Sequence, residues 1–220
     1  MIEIIPTVVP ASFDDVRATA ERYPFARSIH VDFADGIFAP NTTWLPQQTS
    51  RGVASRDNSM PWEAHLMVAD PLALGERCIA AGATRVIGHI EATADKSADI
   101  LHSWKAAGAN EVGLALLAQT SIEAIDPFAS VCDFTMLMTI ASIGVQGLPF
   151  DEHGPDRVRA MHARFPILTI EVDGGVNETT ILPLASAGAS RFCAGSVLSK
   201  SPEPHSTYRR LLALAESGVE

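Results

Sequence analysis

The chain has 220 residues, of which 47% are hydrophobic and 19% charged, and its formal net charge is −10 at pH 7. That length suits one domain with a sizeable core, and a (β/α)8 barrel with few insertions needs roughly 200 residues. The acidic balance argues against a partner such as nucleic acid or an anionic membrane, both of which require a basic protein face. It leaves room for a small anion held by backbone N–H groups.

The N-terminal "MIEIIPTVVP" carries an apolar run at 3–8 that reads as a strand. It has neither the basic segment nor the long apolar stretch of a secretory leader, so a cytoplasmic location is expected. "FDDVRATAERY" follows with apolar residues three and four apart, the helical period. Further strands are expected at 28–32, 62–66, 85–89, 111–116, 133–138, 167–173 and 191–194. Helical patterns lie between them in "PLALGERCIAAG", "ADILHSWKAAG" and "TTILPLASAG". Gly82, Gly108 and Gly188 stand where such helices end in a left-handed residue, within "AAGAT", "AAGAN" and "SAGAS".

Eight strands with seven or eight crossover helices is the count of a single-domain (β/α)8 TIM barrel spanning 1–220. A doubly wound open sheet has the same alternation. Two long connections, 36–61 and 139–155, each follow the C-terminal end of a strand, the side on which a barrel builds its site. No uninterrupted apolar run reaches the ~18 residues of a membrane span. Cys78, Cys132 and Cys193 are odd in number and far apart, which fits reduced thiols in apolar surroundings. The N-x-T triplets at Asn41 and Asn177 carry no meaning without an export signal.

Four ligand-type residues stand at or near strand ends: His30 and Asp32 in "SIHVD", His65 in "EAHLM" and Asp173 in "ILTIEVD". Two imidazoles and two carboxylates can together hold one divalent cation, and the chemistry of the set suits Zn, Fe, Mn or Co. The carboxylates can also move protons. Strand periodicity sends His30 and Asp32 to one face and Val31 to the other, and two inward polar groups in a barrel need compensation. Each residue also has a structural reading: His30 and Asp32 can bond to each other, His65 can be a satisfied core imidazole, and Asp173 can cap the next turn.

"DGGVNETT" and "FCAGSVLS" each read as a strand end, a tight glycine turn and a helix start, in the last two βα units. Amides freed by glycine at a helix start bind phosphate there in barrels of this class. Gly174, Gly175, Gly195 and Ser196 are the residues expected to do so.

These segments, in order along most of the chain, resemble the ribulose-phosphate 3-epimerase family of ribulose-phosphate-binding barrels. "HVDFADGIFAPN" is similar to its HxDxMDGxFxPN segment, "HLMV" to its HLM motif and "HIEAT" to its HxEA strand end. "IEVDGGVNETT" is similar to its VDGGxN segment, and "AGASRFCAGSVL" to its AGAD…AGS stretch. The HxDxxDG and VDGGxN elements are the specific ones. The resemblance implies His30, Asp32, His65 and Asp173 as ligands of one divalent metal ion, with Asp32 and Asp173 as the catalytic acid–base pair. It further implies Thr7 in place of a substrate-side serine, Met67 and Met138 in the site wall, and Gly144 and Gly147 in the loop over the phosphate.

Three departures stand out. Ala34 replaces a methionine, Gly88 replaces a larger apolar residue, and "TIASIGVQGLPF" replaces a loop that reads close to NPGFGGQ. The implied reaction is epimerisation beside the ketone of a phosphorylated ketose, D-ribulose 5-phosphate to D-xylulose 5-phosphate, by a homo-oligomer. Another ketose phosphate, a lyase or isomerase of the same barrel group, and a non-catalytic sugar-phosphate binder are the competing readings. Orotidine-phosphate decarboxylase relatives use a D-x-K-x-x-D run, and no lysine lies in "HVDFADG" or between Trp62 and Thr93.

Overall fold

Eight apolar runs become the strands β1 Glu3–Val8, β2 Ile29–Ala34, β3 Trp62–Met67, β4 Arg85–His89, β5 Glu111–Leu116, β6 Phe134–Met138, β7 Thr169–Asp173 and β8 Arg191–Ala194. The computed structural model describes residues 1–46, 60–144 and 147–219. Every strand pairs in parallel with its sequence neighbours, and β1 also pairs with β8, so the sheet closes. Closure makes this a single-domain (β/α)8 barrel and removes the open-sheet alternative.

Four strands depart from their expected bounds. β2 runs on to Ala34, β3 ends at Met67 and β6 begins at Phe134. β7 begins at Thr169 because Ile167 is fully exposed in the preceding turn.

The helices are α1 Phe13–Arg22, α2 Leu72–Ala80, α3 Ile90–Thr93, α4 Ser97–Ala106, α5 Gly154–Arg164, α6 Ile181–Ser186, α7 Ser196–Ser199 and α8 Pro204–Ser217. Asp15 starts α1 by accepting a 2.8 Å bond from the Ser12 N–H, half of a capping box. The β5–β6 crossover contains a 3-10 turn, Ile122–Ile125, in keeping with the seven-helix count. Much of the 36–61 connection lies outside the described residues. Gly82, Gly108 and Gly188 adopt φ of 107°, 109° and 116°, ending α2, α4 and α6 as their positions predict. Among the described residues no helix is long and apolar enough to cross a membrane.

The two-residue period of the strands divides the core into two layers. Val31, Leu66, Val86, Val112, Leu137 and Val172 belong to the outer layer, together with helix residues such as Leu74, Trp104, Val158 and Leu184. Trp104 is fully buried there, and its Nε1 donates to the Leu72 carbonyl at 3.1 Å. A Cβ on Gly88 would lie 2.9 Å from the indole Cη2. The indole thus takes the space that a side chain at position 88 would need; burying such a ring contributes roughly 3 kcal/mol.

The inner layer includes the apolar side chains of Met67, Ile87, Ala115, Phe134, Met136 and Met138. Toward the N-terminal ends of the strands it becomes ionic. Arg85 donates through Nε to Glu63 Oε2 at 2.7 Å and through Nη1 to Glu3 Oε2 at 3.0 Å, and Arg191 Nη2 donates to Glu111 Oε1 at 3.0 Å. Pairing and hydrogen bonding offset the desolvation cost of these buried charges. The three cysteines are free thiols; Cys78 and Cys193 are buried, while Cys132 is partly exposed.

Candidate active site

His30 and Asp32 of β2, His65 of β3 and Asp173 of β7 converge inside the barrel near its C-terminal mouth. One ligand atom from each lies within 4.8 Å of all the others. His30 Nε2 is 3.1 Å from Asp32 Oδ1 and 3.2 Å from His65 Nδ1. His65 Nδ1 is 2.9 Å from Asp32 Oδ1 and 3.9 Å from Asp173 Oδ2. Strand register produces the first part of this arrangement, because Asp32 and His65 are directly paired across β2 and β3.

The spacing can be tested against a bound cation. Ligands about 2.0–2.1 Å from a tetrahedral ion are separated from one another by roughly 3.3 Å. The observed separations of 2.9, 3.1, 3.2 and 3.9 Å bracket that edge. Atoms rich in lone pairs held so closely repel unless protons or a positive ion lie between them. The donor set, the separations and the burial fit a divalent cation.

Burial alone would lower the proton affinity of His30, but Asp32 and Glu63 overcome it and raise the ring well above its ordinary value. Burial raises Asp32, and the adjoining His30 and His65 more than reverse this, holding the carboxyl well below its usual range. For Asp173 burial and the charge of Asp32 act together and push the carboxyl up to about 6. The two acids thus take up protons in different pH ranges, the condition under which one can give and the other accept.

Beneath this layer lie residues that the sequence reading did not single out. His30 Nδ1 is 2.6 Å from Glu63 Oε1, so the ring's second nitrogen is engaged and Nε2 is aimed at the site. Cys193 Sγ lies 3.4 Å from His30 Nδ1 and 3.3 Å from Glu171 Oε1. Burial and the neighbouring Glu63 raise Glu171 well above the usual carboxylate range. Burial and nearby acids raise Cys193 as well, which leaves it a neutral thiol. The signal was present: Glu63 and Glu171 stand two residues before His65 and Asp173, on the same strand faces.

Above the four residues opens a pocket whose walls contain Thr7, Met67, Met138, Gly144, Gly147, Gly174, Gly175, Gly195 and Ser196, together with Asp32 and Asp173. All nine residues expected at the substrate therefore share one cavity. Its described lining contains no lysine or arginine, which leaves backbone amides to hold an anion there. The rim is built by strand-end contacts. Thr139 N donates to Asp173 O at 2.8 Å, and Ile140 bridges Phe150, pinning the substituted loop against β7. Gly174 and Gly175 have φ of 111° and 68°, and a Cβ on Gly175 would come within 3.0 Å of the Phe150 backbone, so both must be glycine. Val145 and Gln146 of that loop lie outside the described residues.

Asp35, the second acid of "HVDFADG", is structural. Its carboxylate accepts from Ile37 N, Phe38 N and Ala69 N at 2.8, 2.9 and 2.8 Å, tying the loop after β2 to the end of β3. Ala34 is fully buried among the inner-layer residues and pairs across the strands with Met67.

Comparison with known proteins shows the family to which the chain is similar. The family described as ribulose-phosphate 3 epimerase matches residues 3–199. The cytoplasmic isoform of ribulose-phosphate 3-epimerase from Oryza sativa subsp. japonica is 31% identical over 207 residues, 92% of this chain and 89% of that protein. The Mycobacterium leprae ribulose-phosphate 3-epimerase is 30% identical, covering 94% of this chain and 92% of its own. Among solved structures, KGPDC from Streptococcus mutans superimposes with a TM-score of 0.73 at 11% identity, over 99% of this chain and 98% of that one; at that identity the likeness shows the fold alone. With the family matched from β1 to the end of α7, and its barrel and acid–imidazole cluster present, the chain belongs to the ribulose-phosphate 3-epimerase family.

Proposed function

We propose that the chain is a metal-dependent isomerase that interconverts D-ribulose 5-phosphate and D-xylulose 5-phosphate. The observation that carries this reading is the convergence of His30, Asp32, His65 and Asp173 at the base of a pocket lined by glycine turns. In the proposal His30, Asp32, His65 and Asp173 hold one divalent ion, Zn, Fe, Mn or Co. When bound, such an ion supplies Lewis-acid stabilisation of negative charge on the ketone oxygen.

Asp32 and Asp173 come from β2 and β7 and act on opposite faces of the substrate. One removes the proton from the carbon beside the ketone, leaving a flat enediolate. The other returns a proton to the opposite face, which inverts the centre. Met67 and Met138 make a dry, polarizable wall against the intermediate. Thr7 offers a hydroxyl to the sugar chain. The amides around Gly144, Gly147, Gly174, Gly175, Gly195 and Ser196 hold the phosphate. We assign the protein to the cytoplasm as a homo-oligomer, with the sugar phosphate as its partner and neither nucleic acid nor membrane.

The test is turnover after verified metal removal. Chelated protein should lose activity on D-ribulose 5-phosphate, and added divalent metal should restore it, with a solvent deuteron entering the carbon beside the ketone. Full activity without metal would remove the cation from the reaction. Inactivity toward D-ribulose 5-phosphate with turnover of another four-, five- or six-carbon ketose phosphate would change the substrate, in keeping with the altered 139–150 loop.

A further inference from the structure

His65 meets the site with one ring nitrogen and leaves the other in the barrel interior. Nδ1 lies 2.9 Å from Asp32 Oδ1, whereas Nε2 lies 2.8 Å from Nε2 of His89, on β4. A ring nitrogen ligates a cation through its lone pair, so Nδ1 must carry no proton. Asp32 pulls the other way, since a carboxylate at that distance favours an N–H on Nδ1. Two imidazole nitrogens 2.8 Å apart share one proton, with one ring donating and the other accepting.

The direction is decided one contact further on. His89 Nδ1 and Glu91 Oε2 are both buried without a close hydrogen-bond partner, and they face each other at 3.4 Å. An ionised carboxylate oxygen only accepts, so the charge of Glu91 at 3.4 Å favours the arrangement with the His89 proton on Nδ1. His89 Nε2 is then bare and accepts from His65 Nε2–H, which leaves His65 Nδ1 bare as well. Glu91 is itself held in place: its Oε1 accepts from Leu117 N at 2.9 Å and from the Thr120 hydroxyl. Arg157 braces that loop by donating to the carbonyls of Leu117 and Thr120 at 2.9 and 2.8 Å. Phe38 packs over His89 with ring centroids 5.0 Å apart.

We infer that His89 and Glu91 are positioning residues that hold His65 as its Nε2–H tautomer, keeping Nδ1 available to a divalent cation before one arrives. The inference rests on the proposed role of His65 as a ligand. Neither residue lines the pocket, and neither is assigned a step in catalysis.

The test measures Zn(II) affinity by competition with a chromogenic chelator, and reads the His65 ring 15N shifts in metal-free protein above the imidazole titration range. Wild-type His65 should show a bare Nδ1 and a protonated Nε2. His89→Leu should weaken Zn(II) binding roughly 10–100-fold and move the His65 proton toward Nδ1. Glu91→Gln should weaken binding in the same direction. His89→Gln should bring affinity back close to wild type, because its amide oxygen can take the accepting place of Nε2 while its NH2 faces Glu91. Rescue by Gln separates positioning from simple packing.

Wild-type affinity in folded His89→Leu, or a protonated Nδ1 in the wild-type protein, would overturn the inference. If His89→Leu does not fold, unchanged affinity in Glu91→Gln would do the same. Failure of the underlying ligand reading looks different: His65→Ala would then bind Zn(II) as tightly as wild type.

Discussion

An oxygen of Asp32 and an oxygen of Asp173 lie within 4.8 Å of each other, yet the two carboxyls are driven in opposite directions. Both are buried, which raises each of them. Asp32 is pulled back down chiefly by the His30 imidazole at 3.1 Å, whereas Asp173 has its nearest imidazole nitrogen at 3.9 Å and feels the charge of Asp32. About one ångström of placement thus separates an ionised acid from one that retains its proton up to about pH 6 in the metal-free protein.

A pH dependence of stability follows. The folded-state value of Asp173, about 6, is raised above its unfolded value near ~3.9. Its stabilising contribution is therefore complete below the unfolded value and is lost as pH rises through the folded one. His30, also raised, acts in the same sense, while Asp32, lowered, contributes above its unfolded value and loses that contribution as pH falls. Calorimetry on metal-free protein should show the wild-type Tm losing ground to that of Asp173→Asn as pH rises from ~4 through 6. A wild-type Tm that holds or gains ground on the variant would contradict the assignment.

Removing either acid should cost catalysis and spare the fold. Asp173→Asn and Asp32→Asn should each lower kcat by roughly 10²–10⁴, the usual range for a lost general acid or base. Far-ultraviolet circular dichroism should remain that of wild type. Asp32 also makes two close imidazole contacts, so its variant should bind metal more weakly as well.

The two buried glutamates beneath the site should respond differently to the same change. Burial and Glu63 bias Glu171 toward its neutral form, which a glutamine amide resembles, so Glu171→Gln should shift stability by less than about 1 kcal/mol. Glu63→Gln removes the carboxylate that faces His30 and leaves Arg85 with Glu3 alone as its close carboxylate partner. It should cost roughly 3–5 kcal/mol, at ~2–4 °C of Tm per kcal/mol for a chain of this size. Equal losses in thermal unfolding would contradict this charge assignment.

Trp104 predicts a steric result at the barrel wall. Gly88→Val places carbon where the indole Cη2 already lies, at 2.9 Å from the new Cβ. The expected loss is about 1–3 kcal/mol in urea unfolding, and it should shrink in a Trp104→Phe background, where the smaller ring frees space. An undiminished loss in that background would point to backbone strain at Gly88 instead.

Much of this protein was legible along the chain, because side-chain direction in a strand is a local property with a period of two. That period separates Val31 from His30 and Asp32, and it could equally have marked Glu63 in "WEAH" and Glu171 in "IEVD". The helix-ending glycines and the turn at Gly174 and Gly175 were visible for another local reason, the left-handed backbone that glycine adopts at low cost. Tertiary structure alone decided closure of the sheet, the register that sets Asp32 beside His65, and the meeting of His65 with His89. It also decided that Trp104, sixteen residues downstream, occupies the space at Gly88. These depend on which strands and helices lie side by side, and pairing between distant segments is set by packing of the whole barrel rather than by any local pattern.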